Sequence, residues 1–306
     1  MRGSKLWIIA PLVAVFELTY HLVITGRAPS PADWAAVAAP VHRLATPGSV
    51  LVVAPRWAEP LARHVLGDGY WSAADLGRMD ERGVPHVVEI SMLGATDPST
   101  ERWPIERQLD EGAFRVTLRK NPRYEPALFR LVDAVGRAEA RVFRRVQDDE
   151  QGCAWKQNLA PRTGGLHGHV SFPSERYVCG RGVDEFVGVT LVDDAEFEPR
   201  RCVWIHAPAA GSQWLSLEGV SLGGRIEGYV GSSYFLMRDE LDAPVALEIF
   251  VDGVSVGSIE YRDAEDWARF SFTKPSGAGQ RGRLEFRLAV APGARGRAVC
   301  VAAETR

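Results

Sequence analysis

The sequence lacks the short signatures of several common enzyme and nucleotide-binding classes. None of its 306 residues belongs to a GxxxxGKS/T phosphate-binding loop or to an HExxH zinc motif. Lysine and arginine together number 36, against 39 aspartates and glutamates, so no cationic excess is available to neutralise a phosphate backbone. We therefore expect no nucleic-acid partner. The lack of these catalytic motifs also favours a binding role over an enzyme.

Cysteine is scarce as well, with only Cys153, Cys179, Cys202 and Cys300. No two of them have the CxxC spacing of a metal site, which disfavours zinc, and their even number suits an oxidising compartment. Cys202 and Cys300 lie in short apolar runs that would be the first and last strands of one domain. We therefore favour the pairing of Cys153 with Cys179 and of Cys202 with Cys300 among the three that are possible. Four buried free thiols are the alternative.

Charge is nearly absent from residues 6–25, where only Glu17 and His21 can ionise. Twenty residues of helix, at about 1.5 Å each, match a hydrocarbon core of about 30 Å. Arg2 and Lys5 precede this run, so the positive-inside rule places the N-terminus in the cytoplasm. The pattern predicts a signal anchor over residues 1–27 that crosses the inner membrane once and leaves the bulk of the chain in the periplasm. A cleaved signal peptide is the alternative.

Glu17 and His21 are four residues apart and therefore share one face of the predicted helix. A polar pair surrounded by lipid is costly unless it has a partner, so the two residues are candidates for contact with another membrane helix. Alternatively, both lie close enough to the outer interface to reach headgroups and water.

The next region, residues 28–127, has the pattern of a small α/β domain. Apolar residues at helical spacing alternate with short continuous apolar runs of the kind that form buried strands. The predicted helices are residues 34–44 and 60–66, and the predicted strands are residues 50–54, 84–91 and 114–118.

From about residue 128 the apolar residues alternate with polar ones, which is typical of strands. We expect a β-rich connecting region over residues 128–199, with its first strand at 128–132, and an antiparallel, jelly-roll-like β-sandwich over residues 200–306. Asp252-Gly253 is a type I′ turn pair, and it predicts a hairpin with Val251 opposite Val254 and Ile249 opposite Val256. The expected fold class is α+β: a transmembrane helix, a small α/β domain and a C-terminal antiparallel β-sandwich.

Two stretches resemble known families. Ala32-Asp33-Trp34 through Pro47-Gly48 to Val50-Leu51-Val52 resembles the extracytoplasmic α/β region of membrane glycosyltransferases that use dolichyl-phosphate-mannose. Those enzymes have many membrane spans, so their catalytic residues are not transferred to this chain. Residues 200–305, with Val251-Asp252-Gly253, Gly257, Asp263 and Trp267, resemble jelly-roll sandwiches of the galactose-binding or carbohydrate-module kind. The whole chain is also similar to single-span envelope proteins of Gram-negative bacteria.

Strand parity places four aromatic residues on the outer faces of the predicted sandwich. If Leu215, Leu217 and their equivalents face the core, the rings that point outward are those of Trp214, Tyr229, Phe250 and Trp267. An exposed aromatic patch marks a ligand or a partner, and flat rings stack on sugar faces. The alternatives are a protein interface and ordinary packing between domains.

Metal and calcium sites have only partial signatures. His167 and His169 form a His-x-His pair, which is a candidate for two ligands of one metal ion and needs a third ligand. Two exposed loop histidines are the alternative. Clusters of aspartate and glutamate in the predicted turns allow a structural calcium ion, and solvated turns explain the same residues. We expect no other cofactor.

These features favour a non-catalytic binding or accessory protein, anchored in the membrane and facing the periplasm, with envelope glycan as its partner. One alternative is a structural subunit of a membrane-protein complex, indicated by Glu17 and His21. The other is a hydrolase that uses dispersed acidic residues.

Overall fold

The computed structural model describes residues 6–25, 29–66, 81–160, 172–194, 199–233, 243–262 and 267–306. These residues form two compact units. The first contains residues 6–25, 29–47, 51–66 and 86–120, and the second contains the remaining described residues.

The first unit is a four-stranded sheet with helices. Its helices are α1 (Leu6–Thr25), α2 (Pro31–Leu44) and α3 (Glu59–Leu66), and its strands are β1 (Val50–Ala54), β2 (His86–Met92), β3 (Ile105–Glu111) and β4 (Phe114–Lys120). The strand order is β1-β2-β4-β3, and β4 runs antiparallel to both β2 and β3. All the predicted elements of this region are present. The sequence pattern does not predict β3, because its residues are mostly exposed and charged.

Helix α2 shows how the sequence sets this architecture. Ser30 and Asp33 form a capping box at its first turn, which satisfies backbone N–H groups that have no partner within the helix. Its buried side then packs on the sheet, with the ring centroids of Trp34 and Phe114 4.5 Å apart.

The structure does not support the prediction that residues 6–25 cross a membrane. Residues 6–25 do form α1. However, among the described residues no helix combines the length and the hydropathy that crossing a bilayer requires.

The second unit is an antiparallel β-sandwich. One sheet has eight strands: β5 (Phe129–Arg130), β8 (Ala154–Lys156), β9 (Arg176–Val178), β10 (Phe186–Asp193), β11 (Pro199–Ala207), β13 (Arg225–Gly231), β16 (Ala268–Thr273) and β18 (Arg297–Thr305). The other sheet has six strands: β6 (Arg141–Val146), β7 (Asp149–Gly152), β12 (Ser212–Ser221), β14 (Val245–Val251), β15 (Val254–Tyr261) and β17 (Arg281–Val290). The order in the eight-stranded sheet is β16-β13-β18-β11-β10-β9-β8, with β5 paired to β18, and the order in the six-stranded sheet is β15-β14-β17-β12-β6-β7.

The core of the sandwich lies between the two sheets and follows the predicted parity. Alternate residues of β12, β14 and β17 are fully buried, including Leu215, Leu247 and Phe286, and they belong to the same apolar cluster as Ile205 and Val301 of the opposite sheet. Strands β6 and β7 extend the six-stranded sheet, and β8, β9 and β10 extend the eight-stranded one. Strands β6 to β10 thus contribute to both sheets alongside the C-terminal strands.

The predicted strand at residues 128–132 is wrong. Only Phe129–Arg130 pair with β18, and Leu131–Gly136 form a short helix, α4. Leu131, Ala134 and Val135 are its buried residues, and this spacing is helical rather than alternating.

Both disulfide bonds are present in the structure, in the pairing that the sequence favours. Cys153 is bonded to Cys179, and Cys202 is bonded to Cys300. The second bond joins β11 to β18, which are neighbours in the eight-stranded sheet, with 5.5 Å between the Cα atoms. The described part of the chain contains no free cysteine.

Candidate functional site

The outer face of the six-stranded sheet is formed by the residues that alternate with the buried ones. In β14 the buried residues at 245, 247, 249 and 251 leave Glu248 and Phe250 on the outer side, half-buried. The cross-strand register then places Trp214 of β12 beside Arg287 of β17 and Phe143 of β6. Alternation along four neighbouring strands therefore assembles one surface from distant parts of the sequence.

Three aromatic rings form a continuous row on this surface, which we call the aromatic row: Phe143, Trp214 and Phe250. The Phe143 and Trp214 rings are nearly parallel, with their centroids 5.9 Å apart. The Phe250 ring lies 5.4 Å from Trp214 at an angle of 30°. The indole N–H of Trp214 donates a hydrogen bond of 2.8 Å to Ser212 Oγ, which fixes the orientation of the ring. The row is therefore preorganised.

Arginines surround the row. The guanidinium carbon of Arg145 lies 4.9 Å from the centroid of Trp214 and 5.4 Å from that of Phe143, and that of Arg141 lies 4.9 Å from Phe143. These distances are within the range of cation–π attraction. Phe143 is buried, whereas Trp214 and Phe250 are half-buried. The two arginines therefore cover Phe143, and Arg145 also covers part of Trp214, so the accessible ring area of the row belongs to Trp214 and Phe250.

Glutamates hold these arginines in place. Glu150 of β7 forms ion pairs with both Arg141 and Arg145. At the other end of the row, Glu248 accepts a hydrogen bond of 3.0 Å from Arg287. The edge of the surface beside Phe143 is open, because Gly152 lies opposite Phe143 and a Cβ atom there would meet no other atom within 4 Å.

The four aromatic residues chosen from the sequence do not form one patch. Trp214 and Phe250 lie on the six-stranded sheet, whereas Tyr229 belongs to the eight-stranded sheet. Trp267 also packs there, directly over Gly231 and against the apolar cluster that contains the Cys202–Cys300 bond. The structure thus brings together two of the four rings, Trp214 and Phe250. Trp267 is packed within the sandwich itself, and not between domains.

Phe143 and the arginines of β6 are the residues of this surface that the sequence pattern does not predict. The run Arg141-Val142-Phe143-Arg144-Arg145 alternates as a strand, so parity alone places Arg141, Phe143 and Arg145 on one side. What the sequence does not show is that β6 lies next to β12, since Phe143 and Trp214 are far apart in the chain.

A second polar cluster lies where loop 180–185 meets β6. Arg144 Nη1 donates a hydrogen bond of 2.7 Å to Glu185 Oε2, and this bond lowers the pKa of Glu185 against the opposing effect of burial. Burial lowers the pKa of nearby His206, although Asp184 acts in the opposite direction. The side chains of Arg144 and His206 are only 13% and 12% exposed, so this cluster offers little surface to a ligand as large as a sugar.

The candidate metal ligands His167 and His169 lie outside the described residues. Among the residues that are described, no three histidine, cysteine, aspartate or glutamate side chains are arranged to hold a metal ion. Glu150 and Asp194, from two of the acidic clusters, pair instead with arginines. A structural calcium ion stays a prediction.

Two segments match glycine-containing motifs of enzymes and nucleotide-binding proteins in sequence but not in structure. Gly253-Val254-Ser255-Val256-Gly257 has the GxSxG spacing of a hydrolase nucleophile, which requires a turn from a strand into a helix. Here the segment leads from a hairpin turn into strand β15, and Ser255 Oγ donates to Glu248. Residues 277–282 have the GxGxxG spacing but lead into strand β17 rather than into a helix. Neither structural context supports the corresponding activity.

The fold can be compared with known proteins. No family model and no curated protein matches the sequence. Similar solved structures include a CBM51 from Clostridium perfringens GH95 in complex with methyl-galactose, with 12% identity over 39% of this chain and 81% of that one, and a TM-score of 0.27. A structure of carbohydrate-binding modules from the β-sandwich superfamily has 13% identity over 67% of this chain and 86% of that one, and a TM-score of 0.30.

A third similar structure is the M60 catalytic domain with two CBM51 domains from Clostridium perfringens ZmpB, with 11% identity and a TM-score of 0.30. It aligns with 67% of this chain, which spans only 20% of that protein. The solved neighbours thus include carbohydrate-binding modules with β-sandwich folds. Their TM-scores are too low to support a function for this chain. A function therefore has to be inferred from the side chains on its own surface.

Proposed function

We propose that this protein is a non-catalytic glycan-binding protein of the cell envelope and that it binds through the aromatic row. The observation that supports this proposal is the row itself: two half-buried rings, Trp214 and Phe250, packed in line with Phe143 on an outer sheet face. Aromatic rings contribute apolar area at a low cost in conformational entropy. Sugars present apolar C–H faces, so a rigid row with polar groups on both sides suits a saccharide.

The charged groups of this surface fit binding better than catalysis. Glu150 and Glu248 both pair with arginines, and Ser255 also donates to Glu248. These carboxylates thus position guanidinium groups, which are hydrogen-bond donors for sugar hydroxyls. The hydrolase alternative, for which two carboxylates would have to flank a scissile bond, gains no support from this face.

Glycan binding is tested by comparing two outer faces of the same sandwich. We expect Trp214→Phe and Phe250→Ala each to weaken binding on a glycan array by roughly tenfold, since each removes ring area from the row. Tyr229→Ala removes a half-buried ring from the other sheet, and it should leave binding unchanged. Thermal denaturation of each variant shows whether the fold is intact. Equal losses from Tyr229→Ala and from the row variants, or no glycan binding by the wild type, would refute the proposal.

The cellular location is part of the same proposal. Two disulfide bonds suit a protein that folds outside the cytoplasm. Inner-membrane attachment, a periplasmic location and a membrane-protein partner for Glu17 and His21 stay predictions. In the structure these two residues line one shallow depression on α1 with Ala14, Leu18 and Tyr20.

One preparation tests the location. The protein is isolated from the envelope fraction of its host, without reducing agent, and its intact mass is measured. We expect the loss of one hydrogen from each of the four cysteines, and the mass also shows whether residues 1–27 are retained. Recovery of the protein in the cytosolic fraction with all its thiols free would contradict the proposed location.

A further inference from the structure

The end of the aromatic row at β6 carries a local excess of positive charge. Arg141 and Arg145 both pair with the single carboxylate of Glu150. Elsewhere on this face, Arg287 pairs with Glu248 at 3.0 Å and Arg283 pairs with Glu285 at 3.3 Å, whereas Arg281 donates to the carbonyl oxygen of Gly219. Arg141 and Arg145 thus differ from Arg283 and Arg287 in that two guanidinium groups share one carboxylate.

This end is also accessible. The side chains of Arg141 and Arg145 are 70% and 44% exposed. A guanidinium group has five N–H donors in a planar fork, and in each of these two arginines the bond to Glu150 uses one terminal nitrogen, Nη2. Gly152, opposite Phe143, leaves the neighbouring space open. The two arginines thus keep unused N–H donors, and the space over Gly152 beside them is open.

The arginines are held where a sugar on the aromatic row would meet them. Arg145 lies over both Trp214 and Phe143, and Arg141 lies over Phe143. A pyranose ring packed on the exposed edge of Trp214 would thus project a substituent toward the two guanidinium groups. Planar guanidinium groups bind carboxylates through two parallel hydrogen bonds, a geometry that a neutral hydroxyl cannot reproduce.

We propose that the glycan bound here is acidic, and that Arg141 and Arg145 bind the carboxylate of a hexuronic acid residue whose ring packs on the aromatic row. This inference rests on the proposed function and narrows it to one class of sugar. Charge complementarity favours an acidic ligand. Glu150 supplies one negative charge for two arginines, and a bound carboxylate would supply the second.

The test compares two ligands with the same sugar backbone, one with free carboxylates and one with neutral methyl esters. Binding of an oligogalacturonide is measured by titration calorimetry beside the same oligosaccharide with its carboxyl groups methyl-esterified. We expect the acid to bind about tenfold or more tightly than the ester, which is the size of effect expected for a charge-assisted hydrogen bond. The advantage should shrink as salt is added, since these arginines are exposed.

Matched variants locate the effect. Arg141→Gln and Arg145→Gln should each reduce the preference for the acid over the ester severalfold, because each removes a positive charge that only the acid can pair with. Arg283→Gln removes a charge from the same face, but one matched by Glu285, so its preference should stay close to that of the wild type. A comparable loss with Arg283→Gln would show general electrostatic attraction and overturn the assignment.

The remaining outcomes separate this inference from the proposed function. Equal binding of acid and ester, sensitive to Trp214→Phe, would overturn the acidic ligand and keep glycan binding. Tighter binding of a sulfated oligosaccharide of the same length would overturn the assignment to a carboxylate. Failure of every glycan to bind would remove both proposals.

Discussion

Replacing Cys202 and Cys300 together with alanine is expected to lower the free energy of unfolding of the β-sandwich by about 4 to 5 kcal/mol. The bond joins residues that are 98 positions apart, and it therefore restricts a long loop of the unfolded chain. Both sulfur-bearing side chains are fully buried against Trp204 and Phe186, so their loss also removes apolar contacts. Denaturant unfolding followed by tryptophan fluorescence measures the change.

The other disulfide bond is the internal control. Cys153 and Cys179 are 26 positions apart, so the double variant Cys153→Ala/Cys179→Ala should lose about 3.5 kcal/mol by the same loop-closure estimate. The difference between the two variants tests the role of loop length within one fold. A larger loss from the shorter loop would show that local packing, and not the unfolded chain, determines the contribution of these bonds.

The hairpin at residues 245–261 shows how far local sequence determines the fold. Asp252 and Gly253 both have positive φ, as the predicted type I′ turn requires, and Val251 pairs with Val254 as expected. The predicted pairing of Ile249 with Val256 is wrong, because a bulge after the turn places Ile249 opposite Gly257. The ring of Phe272 occupies the space where a Cβ atom of Gly257 would lie. The hairpin thus also fits against a residue of another strand, Phe272, which its local sequence does not specify.

The candidate site could be predicted only in part, for the same reason. Parity within β12 and β14 correctly left Trp214 and Phe250 outside the core, because alternation is a local property of each strand. Parity does not specify which sheet a strand joins or which strand lies beside it. Parity therefore groups Tyr229 with rings that lie on the opposite sheet, and it does not identify Phe143 as the direct neighbour of Trp214.

In the first unit, Glu89→Ala is expected to be the most damaging single substitution. The carboxylate of Glu89 is fully buried and receives a hydrogen bond of 2.7 Å from Arg119 Nε, whose side chain is 7% exposed. Ser91 Oγ also donates to it, at 2.8 Å. Breaking a buried ion pair by removing one partner leaves the other charge without compensation, and costs about 3 to 5 kcal/mol.

The position of this pair explains why the cost should be large. Glu89 lies on β2 opposite Thr117 of β4, on the face of the sheet that alternates with the residues packed under α2. Arg119 also donates to the backbone carbonyl oxygens of Glu101 and Trp103, at 3.2 Å each, so it joins the segment before β3 to the sheet. Loss of Glu89 therefore weakens both a strand pair and the attachment of this segment.

A double variant separates the buried charge from the shape of the site. Glu89→Leu/Arg119→Met replaces the pair with apolar groups of similar size, and it should recover much of the stability lost in Glu89→Ala, because no ion remains to be solvated. Hydrogen exchange of the β2 and β4 amides in the full chain reports on this unit separately from the sandwich. If Glu89→Ala leaves the exchange of these amides unchanged, or if the double variant is no more protected than the single one, the buried ion pair does not stabilise this sheet as proposed.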